Sequence, residues 1–173
     1  MWYLLNVIVM ILKRRDTSPS TKATEAFMPY GGDRMVALLG GSQVLSIRSL
    51  STDLEKGDFV REGVTKRSAL HLQALLGLTA KEMSALLDMS YRTFQRKNDD
   101  DKLGLSSTGQ LVEIAEVIEH ALHVFPGREQ VIDWLHTSLV GLGGRKPIDL
   151  LDNSFGIRAV RQALGRLEHG VFA

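Results

Sequence analysis

The stretch Thr79-Ala-Lys-Glu-Met-Ser-Ala-Leu-Leu-Asp-Met-Ser-Tyr-Arg-Thr-Phe-Gln-Arg96 decides the fold of this chain. Its first threonine stands three residues before Glu82, which is the spacing of a capping box that opens a helix. Asp88 follows that short helix, and Ser90 is placed to cap a second one. Two short helices with so tight a connection predict a helix-turn-helix.

The two helices divide their side chains between core and surface. Met83 and Leu87 share the inner face of the first helix, and Ser84 is small enough for a close helix crossing. In the second helix Phe94 turns inward and the polar side chains are left outside. Arginine can bind guanine or phosphate, and glutamine can bind adenine. The predicted DNA-binding residues are Lys81, Ser90, Tyr91, Arg92, Thr93, Gln95, Arg96 and Lys97. An ordinary helical hairpin is the alternative.

Two features of this stretch depart from a typical DNA-binding motif. Asp88 stands where the turn usually has glycine, although aspartate tolerates left-handed backbone better than most residues. The acidic run 99–101 directly follows the basic helix, and we expect it to limit phosphate contact on that side.

Apolar residues recur at helical spacing along most of the remaining chain. Residues 42–64 are ambiguous, although Leu54, Phe59 and Val60 indicate a further short helix. In the long helix, Glu113, Glu116, His120 and His123 are expected to line a solvated face. The predicted helices cover residues 34–39, 66–78, 80–87, 91–98, 108–125, 128–137, 147–151 and 154–169. The prediction is an all-α protein, with a helix-turn-helix region in 34–104 and a small helical domain in 105–173.

The first 33 residues have a different character. Residues 1–12 are almost all apolar, and Lys13-Arg14-Arg15 follows. The run is too short to span a bilayer, which takes about 20 residues. It is interpreted as a start codon assigned too far upstream, a segment that docks on the body or on a partner, or a membrane-surface anchor. Residues 16–33 are interpreted as a linker.

The amino-acid composition indicates a globular protein and excludes several kinds of site. The chain has 173 residues, 44% of them hydrophobic and 24% charged, which is typical of a globular protein. It has no cysteine, which excludes disulfides and thiolate metal sites and fits the cytoplasm. The net charge is only +1, so any contact with nucleic acid must come from a local basic patch.

The sequence shows no convergent polar site, so no enzymatic activity, cofactor or metal is expected. Glu116, His120 and His123 have the spacing of metal ligands on one helix, but a solvated polar face is the simpler interpretation. A calcium loop at 99–103 is rejected because Leu103 stands where an oxygen ligand belongs. Residues 141–146 are glycine-rich but lack the P-loop spacing, so they are interpreted as a flexible link or an interaction loop.

The C-terminal half carries the most specific motifs. They are Trp134-Leu135, then Leu142-Gly-Gly-Arg-Lys-Pro-Ile-Asp-Leu-Leu-Asp152, then Gly156, Val160 and Leu164-Gly-Arg-Leu-Glu-His-Gly-Val-Phe172. In this order they resemble the Xre/MbcA/ParS antitoxin family, over roughly residues 35–173. Asn153 departs from the family, where threonine is common. Gln110 and Glu113 also depart, at positions where arginines are common.

The resemblance implies a type II antitoxin that joins a helix-turn-helix to a C-terminal toxin-binding domain. The implied partners are operator DNA and a RES-domain toxin, which consumes NAD or transfers ADP-ribose from it. The residues expected at the toxin are Trp134, Arg145, Arg158, Arg161, Arg166, Glu168, His169, Gly170, Val171, Phe172 and Ala173. The apolar tail is expected to plug the toxin's cleft; the alternative is that it folds back on its own domain.

Two further expectations concern assembly and function class. A homodimer is expected because one short recognition helix offers few contacts to an operator. No membrane association is expected of the folded part. A stand-alone transcription repressor without a toxin is the main alternative, and a self-assembly adaptor is a weaker one.

Overall fold

The computed structural model describes residues 32–42, 44, 45 and 50–170. The predictions for the apolar segment 1–12, for the linker up to residue 31 and for the tail residues Val171, Phe172 and Ala173 lie outside this range. The last two residues assigned to the linker, 32 and 33, instead begin the first helix.

Within the described residues the chain is helical, which confirms the predicted all-α class. Eight α-helices and two short 3-10 helices follow one another along this part of the chain. They are α1 (Gly32–Leu38), α2 (Asp53–Glu62), α3 (Lys66–Leu76), α4 (Ala80–Leu86), α5 (Tyr91–Arg96), α6 (Leu105–Val124), α7 (Arg128–Leu135), the 3-10 helices Val140–Leu142 and Pro147–Leu150, and α8 (Ser154–Glu168).

The long helix α6 is the centre of the molecule. It packs against four other helices, which are α1, α2, α7 and α8. Its buried apolar residues point in several directions around the helix, so α6 contributes apolar contacts around most of its circumference; they are Leu111, Val112, Ile114, Ala115, Val117 and Ile118. The prediction of a solvated polar face on this helix holds for His123, whose side chain is 63% exposed, but is wrong for Glu116, which Lys56 of α2 and Arg161 of α8 cover.

The predicted boundary between residues 104 and 105 coincides with the start of α6. However, α6 contacts helices from both sides of that boundary, and the buried apolar residues form one continuous core. The two halves thus share a core, and their assignment to separate functions stays a prediction.

Capping determines where several helices begin. Thr52 and Glu55 form a capping box at the start of α2 that the sequence reading did not identify. The predicted box of Thr79 and Glu82 opens α4. Each box lets a threonine oxygen and a glutamate carboxylate accept backbone N–H groups that have no partner inside the helix.

The segment 139–145 is a hydrogen-bonded turn and not the predicted flexible link. The backbone N–H of Leu139 donates to the Arg145 carbonyl across the turn, and Leu142 is buried. Gly143 and Gly144 both have left-handed backbone, with φ of 67° and 75°, which residues with a side chain rarely adopt. The glycines thus allow the chain to reverse direction in a tight turn. The second 3-10 helix then begins at Pro147.

No helix in the described ranges is both long enough and apolar enough to cross a bilayer.

Candidate DNA-binding and toxin-binding surfaces

The helix-turn-helix forms as the sequence predicts. Thr79 Oγ1 accepts from the backbone N–H of Glu82 at 3.2 Å, and Glu82 Oε2 accepts from that of Thr79 at 2.7 Å. Asp88 takes up left-handed backbone in the turn, with φ of 49°. Ser90 Oγ then accepts from the N–H of Thr93 at 3.1 Å and starts α5. Phe94 is 1% exposed and anchors α5 to the core.

The outer face of α5 presents most of the predicted DNA-binding side chains. The exposed ones are Ser90, Tyr91, Arg92, Thr93, Gln95 and Arg96, and Lys81 is exposed on α4. The Gln95 amide donates to the Tyr91 hydroxyl at 2.6 Å, so these two side chains support each other on the surface. This face has the hydrogen-bonding groups that reading a DNA groove requires.

Lys97 differs from the other predicted DNA contacts. It lies just after α5, which ends at Arg96 and not at the predicted residue 98. Its ammonium donates to the backbone carbonyl of Lys102 at 2.8 Å. A DNA phosphate would have to compete with that carbonyl, so Lys97 is a weaker candidate than Arg92 or Arg96.

A buried lysine that the sequence reading missed supports α5 from below. Lys66 is 8% exposed, and its Nζ donates to the Lys97 carbonyl at 2.8 Å. The same ammonium lies 5.2 Å from the centre of the Phe94 ring. A cation is favourable next to the last carbonyls of a helix and over an aromatic face. Lys66 therefore holds α5 in place from the start of α3.

The acidic run 99–101 folds against the first turn of α3. The carbonyls of Asp99 and Asp101 accept from the backbone N–H groups of Arg67 and Lys66, each at 2.9 Å. The Arg67 guanidinium pairs with Asp100 at 2.7 Å, and this hydrogen bond raises the pKa of Arg67. The run thus caps a helix, and part of its charge is compensated. Its effect on phosphate contact stays a prediction.

Polar contacts along α6 connect it to both proposed binding regions. Ser107 Oγ donates to the Leu87 carbonyl in the helix-turn-helix turn at 2.9 Å. The Gln110 amide donates to the Leu151 carbonyl, just before α8, at 2.5 Å. The same helix therefore bonds to the turn that positions α5 and to the segment that leads into α8.

Glu116 links three helices. Its carboxylate pairs with Lys56 of α2 at 2.7 Å and accepts a hydrogen bond from Arg161 of α8. Burial favours the neutral acid, yet the hydrogen bonds from Lys56 and Arg161 outweigh it and hold the pKa of Glu116 below its ordinary value. The bond with Glu116 in turn raises the pKa of Lys56. Arg161 is thereby paired within the molecule, and its assignment as a toxin contact stays a prediction.

The end of α8 is fixed in a similar way. Glu168 Oε2 lies 2.9 Å from His120 Nε2, and Glu168 Oε1 lies 3.7 Å from His123 Nε2. The hydrogen bond with His120 lowers the pKa of Glu168. The expected solvated face of His120 and His123 thus meets α8. Among the described residues no three carboxylate or imidazole groups are placed to hold a metal ion.

The remaining predicted toxin contacts fall into two groups. Trp134 is 4% exposed and packs against Phe125, with ring centroids 5.6 Å apart. Because the indole lies in the core, we correct its assignment: it supports the fold and does not face a partner. By contrast the exposed candidates Arg145, Arg158, His169 and Gly170, and the half-buried Arg166, remain accessible.

The sequence reading missed Arg128 as well, which joins the two halves of the chain. Its Nε donates to the Leu75 carbonyl at 2.8 Å, and its Nη2 donates to the Ala74 carbonyl at 3.1 Å. These are carbonyls at the end of α3, where a guanidinium is favourable. The start of α7 is therefore tied to the helix that precedes the helix-turn-helix.

Comparison with known families matches both halves of the chain. The profile of the Xre-like helix-turn-helix domain of antitoxins matches residues 57–116. The profile described as the C-terminal toxin-binding domain of Xre/MbcA/ParS antitoxins matches residues 120–170. The first match covers α3 to α5, and the second covers α7 and α8 with the turn between them.

Two curated proteins show the same relationship. A Prs ADP-ribosylating antitoxin of Sphingobium sp. is 30% identical over 125 residues, which cover 66% of this chain and 78% of that protein. An antitoxin Xre of Yersinia enterocolitica is 32% identical over 80 residues, which cover 46% of this chain and about half, 54%, of that protein.

A solved structure of the Mycobacterium tuberculosis MbcT–MbcA toxin–antitoxin complex contains a chain that is 25% identical. The superposition covers 62% of this chain and 96% of that one, with a TM-score of 0.46. On the Sphingobium relative and the two family matches, this chain belongs to the Xre/MbcA/ParS antitoxin family.

Proposed function

We propose that this protein neutralises a RES-type toxin, which consumes NAD or transfers ADP-ribose from it, by binding over its active-site entrance. The proposal rests on the match of residues 120–170 to the toxin-binding family, because these residues form one structural unit. In that unit α8 is fixed to α6 through Glu116 and His120 and keeps Arg158 accessible. The chain acts by binding and not by catalysis, in the cytoplasm, where NAD and operator DNA are found.

The blocking element that we propose is the end of α8 together with the tail that follows it. Gly170 has left-handed backbone, with φ of 64°, and turns the chain out of the helix. The tail after it is apolar in sequence. A toxin that binds the diphosphate of NAD needs a positively charged cleft, which would repel the arginines of α8. Since His120 already engages Glu168, the tail enters that cleft through its apolar residues.

Co-expression tests this proposal. The product of the reading frame next to this gene is tested as the candidate toxin, and the readouts are growth and cellular NAD. The intact chain should restore both, whereas deletion of residues 170–173 should protect incompletely. Full protection by the truncated chain would contradict the tail mechanism. Failure of the intact chain to bind the neighbouring toxin would contradict the toxin assignment and leave a stand-alone repressor as the better explanation.

We further propose that α5 binds the operator of the chain's own gene and represses it. Arg92 and Arg96 carry this proposal because both are exposed on the outer face of α5. The chain binds as a homodimer, since a recognition helix of six residues reaches only one half-site.

Gel-shift titrations at two salt concentrations test the DNA contact. Loss of a bidentate base contact should weaken binding by about 1–3 kcal/mol. Loss of a phosphate contact should instead reduce the salt slope by about one. Arg61→Ala is the matched control, because Arg61 is an exposed arginine on α2 that pairs with Asp58. Normal binding by both Arg92→Ala and Arg96→Ala would show that α5 is not the recognition helix.

A further inference from the structure

The start of α8 exposes a large aromatic side chain. Phe155 is 76% exposed, although burying a phenylalanine side chain away from water is favourable. The residues that follow it, Gly156 and Ile157, are buried, so the helix itself is well packed at this point. Phe155 also lies inside the segment matched by the toxin-binding family profile.

An arginine completes the exposed feature. The Arg158 guanidinium carbon lies 4.6 Å from the centre of the Phe155 ring, which is the geometry of a cation–π contact. Arg158 is itself exposed. Aromatic residues and arginine are the side chains most often found as energetic anchors of protein interfaces.

The backbone beneath this pair is held firmly. Asn153 Oδ1 accepts from the N–H groups of Phe155 and Gly156, at 3.1 and 3.0 Å. The Cα of Gly156 lies so close to the second 3-10 helix that a β-carbon there would stand 1.9 Å from the Leu150 carbonyl oxygen. The ring is therefore presented from a fixed position, and binding would cost little ordering of the backbone.

The other large apolar side chains exposed in the described ranges do not combine these features. Leu54 and Leu105 are 83% and 62% exposed but lie outside the toxin-binding match. Tyr91 is on the proposed DNA-binding face and bonds to Gln95. Val140 is 77% exposed and lies within the toxin-binding match, but a valine offers no aromatic face to a cation.

We propose that Phe155 and Arg158 form an anchor that binds the toxin outside its active-site cleft. This inference rests on the proposed function and extends it, because the tail would block the active site while the anchor supplies affinity. The matching surface on the toxin is an apolar pocket that takes the ring, bordered by carboxylates that pair with the guanidinium. The antitoxin would thus hold the toxin at two places, one at each end of α8.

Calorimetric titration of the neighbouring toxin with purified full-length variants tests the anchor. Phe155→Ala should weaken binding by about thirtyfold. This corresponds to a loss of about 2 kcal/mol in binding free energy, as expected of an anchor residue. Arg158→Gln should weaken it less, and the double variant should fall short of the product of the two effects because the side chains touch. Leu54→Ala is the matched control, since it removes a similarly exposed apolar side chain on α2 and should change nothing.

Two further measurements show whether the anchor acts independently of the tail and whether the substitution leaves the fold intact. Phe155→Ala in the chain that lacks residues 170–173 should lose the same factor, because the anchor acts independently of the tail. Thermal unfolding of Phe155→Ala should match that of the wild type, since the ring is exposed. Wild-type affinity of Phe155→Ala would overturn the anchor while leaving the antitoxin assignment intact. No binding of toxin by the unaltered chain would overturn both.

Discussion

Replacing Gly156 by alanine is expected to destabilise the protein strongly, although alanine favours helices. A β-carbon at this position would lie 1.9 Å from the Leu150 carbonyl oxygen and 2.9 Å from its carbon. Both are backbone atoms, so α8 and the second 3-10 helix would have to separate. Overpacking of this kind costs about 1–3 kcal/mol. The shift would also disturb the Asn153 cap, which contributes about 1 kcal/mol.

The opposing effect is smaller. Alanine restricts the unfolded chain and so favours folding by about 0.4–1 kcal/mol where the native backbone accepts it. The net expectation for Gly156→Ala is therefore a loss of about 1–3.5 kcal/mol in the free energy of unfolding. Urea denaturation followed by far-ultraviolet circular dichroism measures this directly, as a lower midpoint at an unchanged slope.

Gly165 provides the control within the same helix. A β-carbon there would meet nothing within 4 Å, so Gly165→Ala should stabilise the protein by about 0.4–1 kcal/mol. The two substitutions are chemically identical and should change stability in opposite directions. Equal midpoints for both variants would refute the close approach of α8 to Leu150.

Three other substitutions test polar contacts between elements that are distant in the sequence. Glu116→Gln should cost about 1–3 kcal/mol at pH 7. The pKa of Glu116 in the folded state is lowered from the ordinary carboxyl value of 4.5. The wild type should therefore lose this stability as the pH falls from that value through the lowered pKa. The urea midpoint of the variant should depend less on pH in this window. Lys66→Met should cost about 1–3 kcal/mol by leaving the Lys97 carbonyl unpaired, and gel shifts should show weaker operator binding with unchanged toxin binding. Arg128→Ala should lower the free energy of unfolding by about 0.5–1.5 kcal/mol, measured by urea denaturation, since it removes two exposed hydrogen bonds to α3.

The helix-turn-helix could be predicted from sequence because local chemistry determines it. The hydroxyl of Thr79, the carboxylate of Glu82 and the cap at Ser90 act within four residues of their partners. Asp88 could be placed in left-handed backbone for the same reason. Features of this kind depend on short spacings that the sequence displays directly.

The surroundings of α6 could not be predicted in this way. A helical pattern shows that Glu116 and His120 lie away from the main apolar stripe, but not whether another helix covers them. Lys56 is 60 positions and Arg161 is 45 positions from Glu116, and only the packing of α2 and α8 brings them together. The predicted toxin contact at Trp134 is wrong for a related reason, since an aromatic residue in a family motif can serve the core or a partner.

Inhibition in vitro tests most directly our proposal that this chain silences an NAD-handling toxin by direct binding. The purified neighbouring toxin is incubated with NAD while the purified full-length chain is titrated in, and NAD loss is followed over time. We expect NAD loss to cease when the antitoxin reaches a fixed stoichiometric ratio to the toxin, with Leu54→Ala behaving like the wild type. Unchanged NAD loss in the presence of a large excess of the folded chain would contradict it.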